Sequence, residues 1–140
     1  KPGKVIIQTH NPDSPLMISL VSNSYQQFAR ERLAERQQQG LPPYGHLAML
    51  RAEADNLEQP EQFLRDLRNA VPPVAGANLY GPLPAPITRR AGRFRAQLLL
   101  QSSQRGALHH CLQQLAAAGE QHPMGRRIRW SIDVDPVEVF

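Results

Sequence analysis

Apolar residues change their spacing repeatedly along the chain, and from His46 onward the changes mark six elements. HLAMLRAEA (46–54) reads as a strand. QPEQFLRDLRNAV (59–71) reads as a helix with Phe63, Leu64, Leu67, Ala70 and Val71 on one face, ended by Pro72-Pro73. NLYGPLPAPI (78–87) is extended but interrupted by proline, which cannot donate to a central ladder, so it belongs at a sheet edge. GRFRAQLLLQS (92–102) is a strand. QRGALHHCLQQLAAAG (104–119) is a helix with Leu108, Cys111, Leu112 and Leu115 inward and Gly119 as its C-terminal stop. RRIRWSIDVDP (126–136) is the final strand. The order β-α-β-β-α-β is the split βαβ arrangement of ferredoxin-like domains, in which two helices cover one face of an antiparallel sheet. The fold class is therefore α+β.

The first 43 residues follow a different pattern. Val5-Ile6-Ile7 is β-branched, apolar and bounded by turn signals at Pro2-Gly3 and Asn11-Pro12-Asp13. With no other strand signal before residue 46, Val5 to Gln8 reads as the last strand of a sheet whose other strands lie upstream. Ser14-Pro15 gives an N-cap and a proline at the first helical position. Ser24 caps a second helix carrying Tyr25, Phe28, Ala29 and Leu33 at helical spacing, followed by Gly40 and Pro42-Pro43. GLPPYG is the best candidate boundary, dividing the chain into 1–43 and 44–140.

Charge sharpens this picture. The net charge is +4. The first seventy residues balance, and the excess lies entirely in the second half, where every cation is arginine. Arginine presents a planar fork suited to phosphate or carboxylate. Arg89 and Arg90 read as loop residues leading into the third strand of the domain. Within that strand side chains alternate, so Phe94, Ala96, Leu98 and Leu100 face the helices while Arg93, Arg95 and Gln97 face away. The last strand repeats the logic: Ile128, Trp130, Ile132 and Val134 point inward, Arg127, Arg129 and Ser131 outward. Two strands thus direct arginines to the face the helices leave bare, the electrostatic footprint that phosphate contact requires.

Other chemistry is sparse. No G-x-x-x-x-G-K-[ST] and no G-x-G-x-x-G occurs, so the chain has no phosphate-cradling loop of its own. The single cysteine, Cys111, excludes an internal disulfide, fits a reducing compartment and disfavours zinc. No two histidines share a helix face at metal-ligand spacing; of the adjacent His109 and His110, one is expected to be half-packed and the other solvated. Asp133 and Asp135 share a face at the end of the last strand, where pairing with neighbouring arginines or capping a turn outweighs cation binding. Phe94 and Trp130 fall on the core side of their strands, which speaks against base stacking by them. No apolar run approaches the roughly 20 residues a membrane-spanning helix needs. The first residue is Lys1 rather than Met, which suggests a piece of a longer chain.

Several segments carry a resemblance. KPGKVIIQTHNPDSP, YQQFARERLAERQQQGLPPYG, LRAEA, GPLPAPITRRAGRFRAQLLLQ and DVDP, in that order, resemble the C-terminal end of the primosomal protein N′ (PriA) family of bacterial replication-restart DNA helicases. The resemblance implies that the first strand closes the second RecA-like lobe of a helicase, that the helices to Pro43 form a connector, and that 44–140 is the C-terminal domain. It implies a parent that hydrolyses ATP with Mg2+, binds Zn2+, moves 3′ to 5′ on DNA, recognises stalled forks and assembles the primosome in the bacterial cytoplasm, at the nucleoid. The sites for ATP, Mg2+ and Zn2+ would lie upstream, so these 140 residues alone are expected to be inactive as an ATPase. The expected DNA contacts are Arg89, Arg90, Arg93, Arg95, Arg127 and Arg129, on forked or single-stranded DNA. The resemblance further places Arg105 against the acidic, phenylalanine-ended tail of single-stranded DNA-binding protein. Other primosome proteins and the remaining domains of the parent helicase complete the implied partners. At Ala96 the chain departs from the family, which often has Trp there. Two rival readings remain open: a free-standing ferredoxin-like nucleic-acid module, and a structural hub whose arginines meet acids on neighbouring domains.

Overall fold

Alternation in two strands and a three-to-four spacing in two helices build one core. In the computed structural model, which describes residues 2–137, β1 (His46–Ala54) and β3 (Arg93–Ser102) are the central strands of a four-stranded antiparallel sheet. β2 (Ala77–Arg90) and β4 (Arg129–Val134) are its edges, in the order β2-β3-β1-β4. One face carries α3 (Glu58–Ala70) and α4 (Arg105–Gln121). Ala48, Leu50 and Ala52 of β1 and Ala96, Leu98 and Leu100 of β3 are sealed against Phe63, Leu64 and Leu67 of α3 and Leu108, Cys111 and Leu115 of α4. The β-α-β-β-α-β order and this pairing are compatible with the ferredoxin-like arrangement.

Local chemistry sets the helix ends. The Asn56 side chain accepts from the Gln59 N–H (3.0 Å), and Glu58 and Glu61 complement the dipole of the first turn of α3. Buried Ser102 donates to the Gly76 carbonyl (2.7 Å) and accepts from the Gln104 N–H (3.0 Å), joining the end of β3 to the start of α4. Gly119 does not stop α4. It lies buried within the helix under Trp130, and a Cβ there would come within 2.8 Å of the indole ring, so glycine is required by close approach. Ala70, expected inward, is exposed, because the buried stripe of α3 passes from Leu67 to Val71.

The strand boundaries differ from expectation at two places. β2 runs on to Arg90, so Arg89 and Arg90 lie in a strand rather than a loop. β4 begins only at Arg129; Arg127 belongs to the preceding turn, where its N–H donates to the Met124 carbonyl (2.9 Å), and Val134 is half exposed.

Residues before His46 form α1 (Pro15–Ser22) and α2 (Tyr25–Gln38). Ser14 and Ser24 cap them as expected, accepting from the N–H groups of Met17 and Gln27. Glu31 ties the two together by accepting from Ser19, Asn23 and Gln27. Gly40, at φ +62°, closes α2: the Leu41 N–H reaches the Arg36 carbonyl (2.8 Å) and the Gly40 N–H that of Gln37 (3.2 Å). Gln101 of β3 donates to the carbonyls of Gln39 and Gly40 (2.7 and 2.9 Å), which ties the residues just after α2 to the end of the sheet face that the helices leave bare. Val5 to Gln8 is not a strand here; it has no neighbouring strand to pair with among the described residues, and Val5 and Ile6 are exposed. The extreme ends of the two expected domains, Lys1 and residues 138–140, lie outside the described residues.

Candidate nucleic-acid interface

The pairing register decides where the arginines go. Residues directly opposite on neighbouring strands share a face. Glu53 of β1 stands opposite Arg95 on one side and Arg129 on the other. The next row is Gln97, Arg51 and Ser131, and the row after that Leu99, Met49 and Asp133. Arg90 stands opposite Arg93 at the end of the β2–β3 hairpin. All of these alternate with the core residues, so they occupy the face opposite α3 and α4. Arg51, Glu53, Arg90, Arg93, Arg95 and Arg129 line a basin of about 500 Å³ on that face.

The hairpin that presents Arg90 and Arg93 turns in two residues, Ala91 (φ 50°) and Gly92 (φ 80°). Positive φ at both positions matches the twist of the flanking strands. Within the basin the cations are of two kinds. Arg129 meets Glu53 (3.3 Å), and Arg51 meets Asp133 (2.5 Å). Among the described residues, no carboxylate pairs with Arg90, Arg93 or Arg95. Like charges in this arrangement favour an incoming anion, since an anion relieves their mutual repulsion.

Arg90, Arg93, Arg95 and Arg129 are thus brought together, and three other predicted residues are not. Arg89 pairs with Phe94 on the helical side of the sheet, its guanidinium 5.3 Å from the ring centroid. Adjacent residues of a strand must point opposite ways, and a strand that includes both Arg89 and Arg90 separates them. Arg127 lies in the turn before β4 and does not line the basin. Arg105 is the first residue of α4, just past the far end of β3, roughly 30 Å from the hairpin tip at strand rise. Two residues of the basin escaped sequence reasoning, Arg51 and Glu53. The signal was present: in HLAMLRAEA they alternate with Leu50, Ala52 and Ala54, which face the helices.

The remaining candidates are structural. Asp133 is the partner of Arg51, and Asp135 adopts φ 54° with its N–H on the Leu47 carbonyl (3.0 Å). His109 and His110 are both exposed, since the inward positions on α4 fall to Leu108, Cys111 and Leu112. His122 joins the end of α4 to α3: its Nδ1 accepts from the Met124 N–H (3.0 Å), and its Nε2 donates to Asp66 of α3 (3.0 Å). That hydrogen bond holds the Asp66 carboxyl below its usual range, against a smaller opposing effect of burial. Burial pushes the Cys111 thiol up. Trp130 packs toward Phe63 (ring centroids 5.9 Å apart) and donates to the Gly125 carbonyl (3.2 Å). Among the described residues, no three His, Cys, Asp or Glu side chains gather where they could hold a metal ion, and no helix is long and apolar enough to cross a membrane.

Fold and site together define an α+β sheet domain of split βαβ order with a cationic open face. The chain belongs to the family described as the primosomal protein N C-terminal domain, whose profile matches residues 37–137. Over 99% of its length it is 36% identical to the Replication restart protein PriA of Haemophilus influenzae, of which it spans 19%. It is 33% identical over 72% of its length to the protein of that name from Synechocystis sp., and 26% over 97% to that of Bacillus subtilis. It covers 12% and 17% of those two proteins, so the chain spans a fifth or less of these relatives.

Proposed function

We propose that the chain is the C-terminal portion of an ATP-dependent 3′–5′ DNA helicase that recognises stalled replication forks and restarts replication. Its part in that work is to hold DNA by phosphate. ATP, Mg2+ and Zn2+ belong, in this reading, to regions of the parent other than these 140 residues. The family match and the relatives' shared name support the role in replication restart. The observation that carries the DNA contact is the register that lines up Arg90 with Arg93, and Arg95 with Glu53 and Arg129, on the face without helices. Contacts of this kind are independent of sequence and sensitive to salt. Val5 to Gln8 would complete the sheet of a RecA-like lobe, which would cover the exposed Val5 and Ile6. Arg105, exposed at the start of α4, is the proposed contact for the acidic tail of single-stranded DNA-binding protein. The parent would work in the bacterial cytoplasm, at the nucleoid.

The test is charge reversal. An Arg93→Glu/Arg95→Glu variant is expected to bind forked DNA more weakly and with a shallower salt dependence in fluorescence anisotropy; unchanged affinity and slope would refute the assignment. For the tail, Arg105→Ala is expected to weaken peptide binding and spare DNA, and equal peptide titrations would exclude it. A second reading, the structural hub, has one observation in its favour: the same face already answers Arg129 and Arg51 with the carboxylates of Glu53 and Asp133. In that case the charge-reversed variant binds DNA normally and no longer docks with other domains of the parent.

A further inference from the structure

The register of β2 against β3 slips beside the basin. Tyr80 stands opposite Leu99 and Leu83 opposite Gln97, so three steps on β2 match two on β3. Without that extra residue Leu83 would point to the helices. The bulge instead places both Tyr80 and Leu83 on the open face, where they are 47% and 58% exposed. It is held fast. Gly81 sits at φ +107°, and a Cβ there would lie 3.0 Å from the Leu83 nitrogen and 3.1 Å from the Gln97 carbonyl oxygen. Arg68 of α3 donates to the Gly81 carbonyl from the helical layer. Bulges of this kind re-aim side chains next to functional sites.

Charge on the open face is divided by strand. The open-face positions of β2 and β3 include Arg90, Arg93 and Arg95 and no acid, whereas Glu53 and Asp133 stand on β1 and β4. A polyanion therefore meets the least repulsion along β2–β3, and that lane leads from the hairpin tip to Tyr80. The step from Arg95 to Leu99, the residue opposite Tyr80, is roughly 13 Å at strand rise. The Tyr80 hydroxyl has no hydrogen bond among the described residues, and nothing in the core requires an aromatic ring at this position.

We propose that this lane binds single-stranded DNA, with Arg90, Arg93 and Arg95 on its phosphates and one unstacked base lying on the Tyr80 ring. The proposal rests on the DNA-contact reading above and narrows it. A basic groove that tracks the backbone, combined with an aromatic face for a base, is how single strands are held without sequence preference. The bases of a duplex are already stacked on one another, so the Tyr80 ring offers a duplex nothing. Tyr80 is then the residue that distinguishes single strand from duplex, and the arginines serve both.

The experiment uses the 140-residue chain and fluorescein-labelled oligothymidylate of about 15 nucleotides, with a duplex of equal length beside it, read by anisotropy at fixed salt. Tyr80→Ala is expected to lose about 5- to 150-fold in single-strand affinity and to leave duplex affinity unchanged. Tyr80→Phe is expected to behave as the parent chain. Arg93→Glu/Arg95→Glu is expected to lose both ligands. If Tyr80→Ala binds the single strand normally while the arginine variant does not, stacking is refuted and the phosphate basin stands. If neither variant loses affinity, both ideas fall. Equal losses on single strand and duplex by Tyr80→Ala would also overturn the stacking role. Tight capture of an acidic peptide with no binding of oligothymidylate would assign the face to a protein partner and overturn the proposal.

Discussion

On β3, Ala96, Leu98 and Leu100 are sealed beneath α3 and α4, while Arg93, Arg95 and Gln97 alternate with them on the other side of the same backbone. The first set is interchangeable in chemistry and constrained in shape. The second contributes little to the core and is defined by polarity, with the charge on Arg93 and Arg95. Strand alternation lets one segment do both, because a change on one face need not disturb the other. Substitutions in the two sets should therefore separate cleanly into losses of stability and losses of binding.

The largest expected effect belongs to the helical side. Phe63 is fully buried and touches the rings of both His122 and Trp130. Phe63→Ala is expected to cost about 3–5 kcal/mol in urea unfolding. DNA affinity of the fraction that stays folded should be unchanged, and a matched loss of affinity would break the separation. Next comes the open side. Arg93→Glu/Arg95→Glu is expected to cost about 3 kcal/mol of DNA binding, from two charge-assisted hydrogen bonds. Its melting temperature should change little, because a glutamate at 93 gains Arg90 opposite it while a glutamate at 95 meets Glu53. Gly119→Ala sets two effects against each other: helix propensity favours alanine by about 1 kcal/mol, while a methyl pressed against the anchored Trp130 ring costs about 1–3 kcal/mol. The clash prevails, so a net destabilisation of about 1 kcal/mol is expected with no change in binding.

Two smaller effects probe the charges themselves. Glu53→Gln removes the carboxylate facing Arg95 and Arg129 and is expected to strengthen DNA binding by about 0.2–1 kcal/mol, measured at low salt. Asp66 tests the helical side by pH. Its native pKa lies below the ordinary 3.8, so its ionised form stabilises the fold above that value, and the contribution is lost as pH falls through the native pKa. Asp66→Asn should thus be less stable than the parent at neutral pH, and the gap should close in acid. A gap independent of pH would show that packing, not charge, is what Asp66 supplies.

Much of this separation is legible in the residues alone. The apolar run of HLAMLRAEA marked β1 from His46 to Ala54, and alternation in β3 put Ala96, Leu98 and Leu100 inward. Helix caps at Ser14 and Ser24 were readable because a serine before an apolar-periodic run has one dominant local role. Arg89 was misplaced for a specific reason. The apolar residues of β2 stop at Ile87, where the reading ended the strand, whereas pairing with β3 carries it on to Arg90. Bulges reverse the faces of β2, so no periodicity could have put Tyr80 and Leu83 on one side. Gly119 looked like a helix stop because a helical glycine demanded by a distant ring is indistinguishable, locally, from a cap. The partnering of Arg51 with Asp133 joins residues far apart in sequence and needed the sheet order.

The central claim is that anion binding on the open face resides in the guanidiniums of β2–β3, which form no ion pair among the described residues. The most direct measurement compares how affinity for single-stranded DNA falls with salt in two charge-neutralised chains, Arg90→Gln/Arg93→Gln/Arg95→Gln and Arg51→Gln/Arg129→Gln. The account predicts that the slope of log K against log salt becomes shallower by about 0.7 for each phosphate that the first chain no longer neutralises, with a distinctly smaller change in the second. An unchanged slope in the first chain, or an equal change in both, would contradict it.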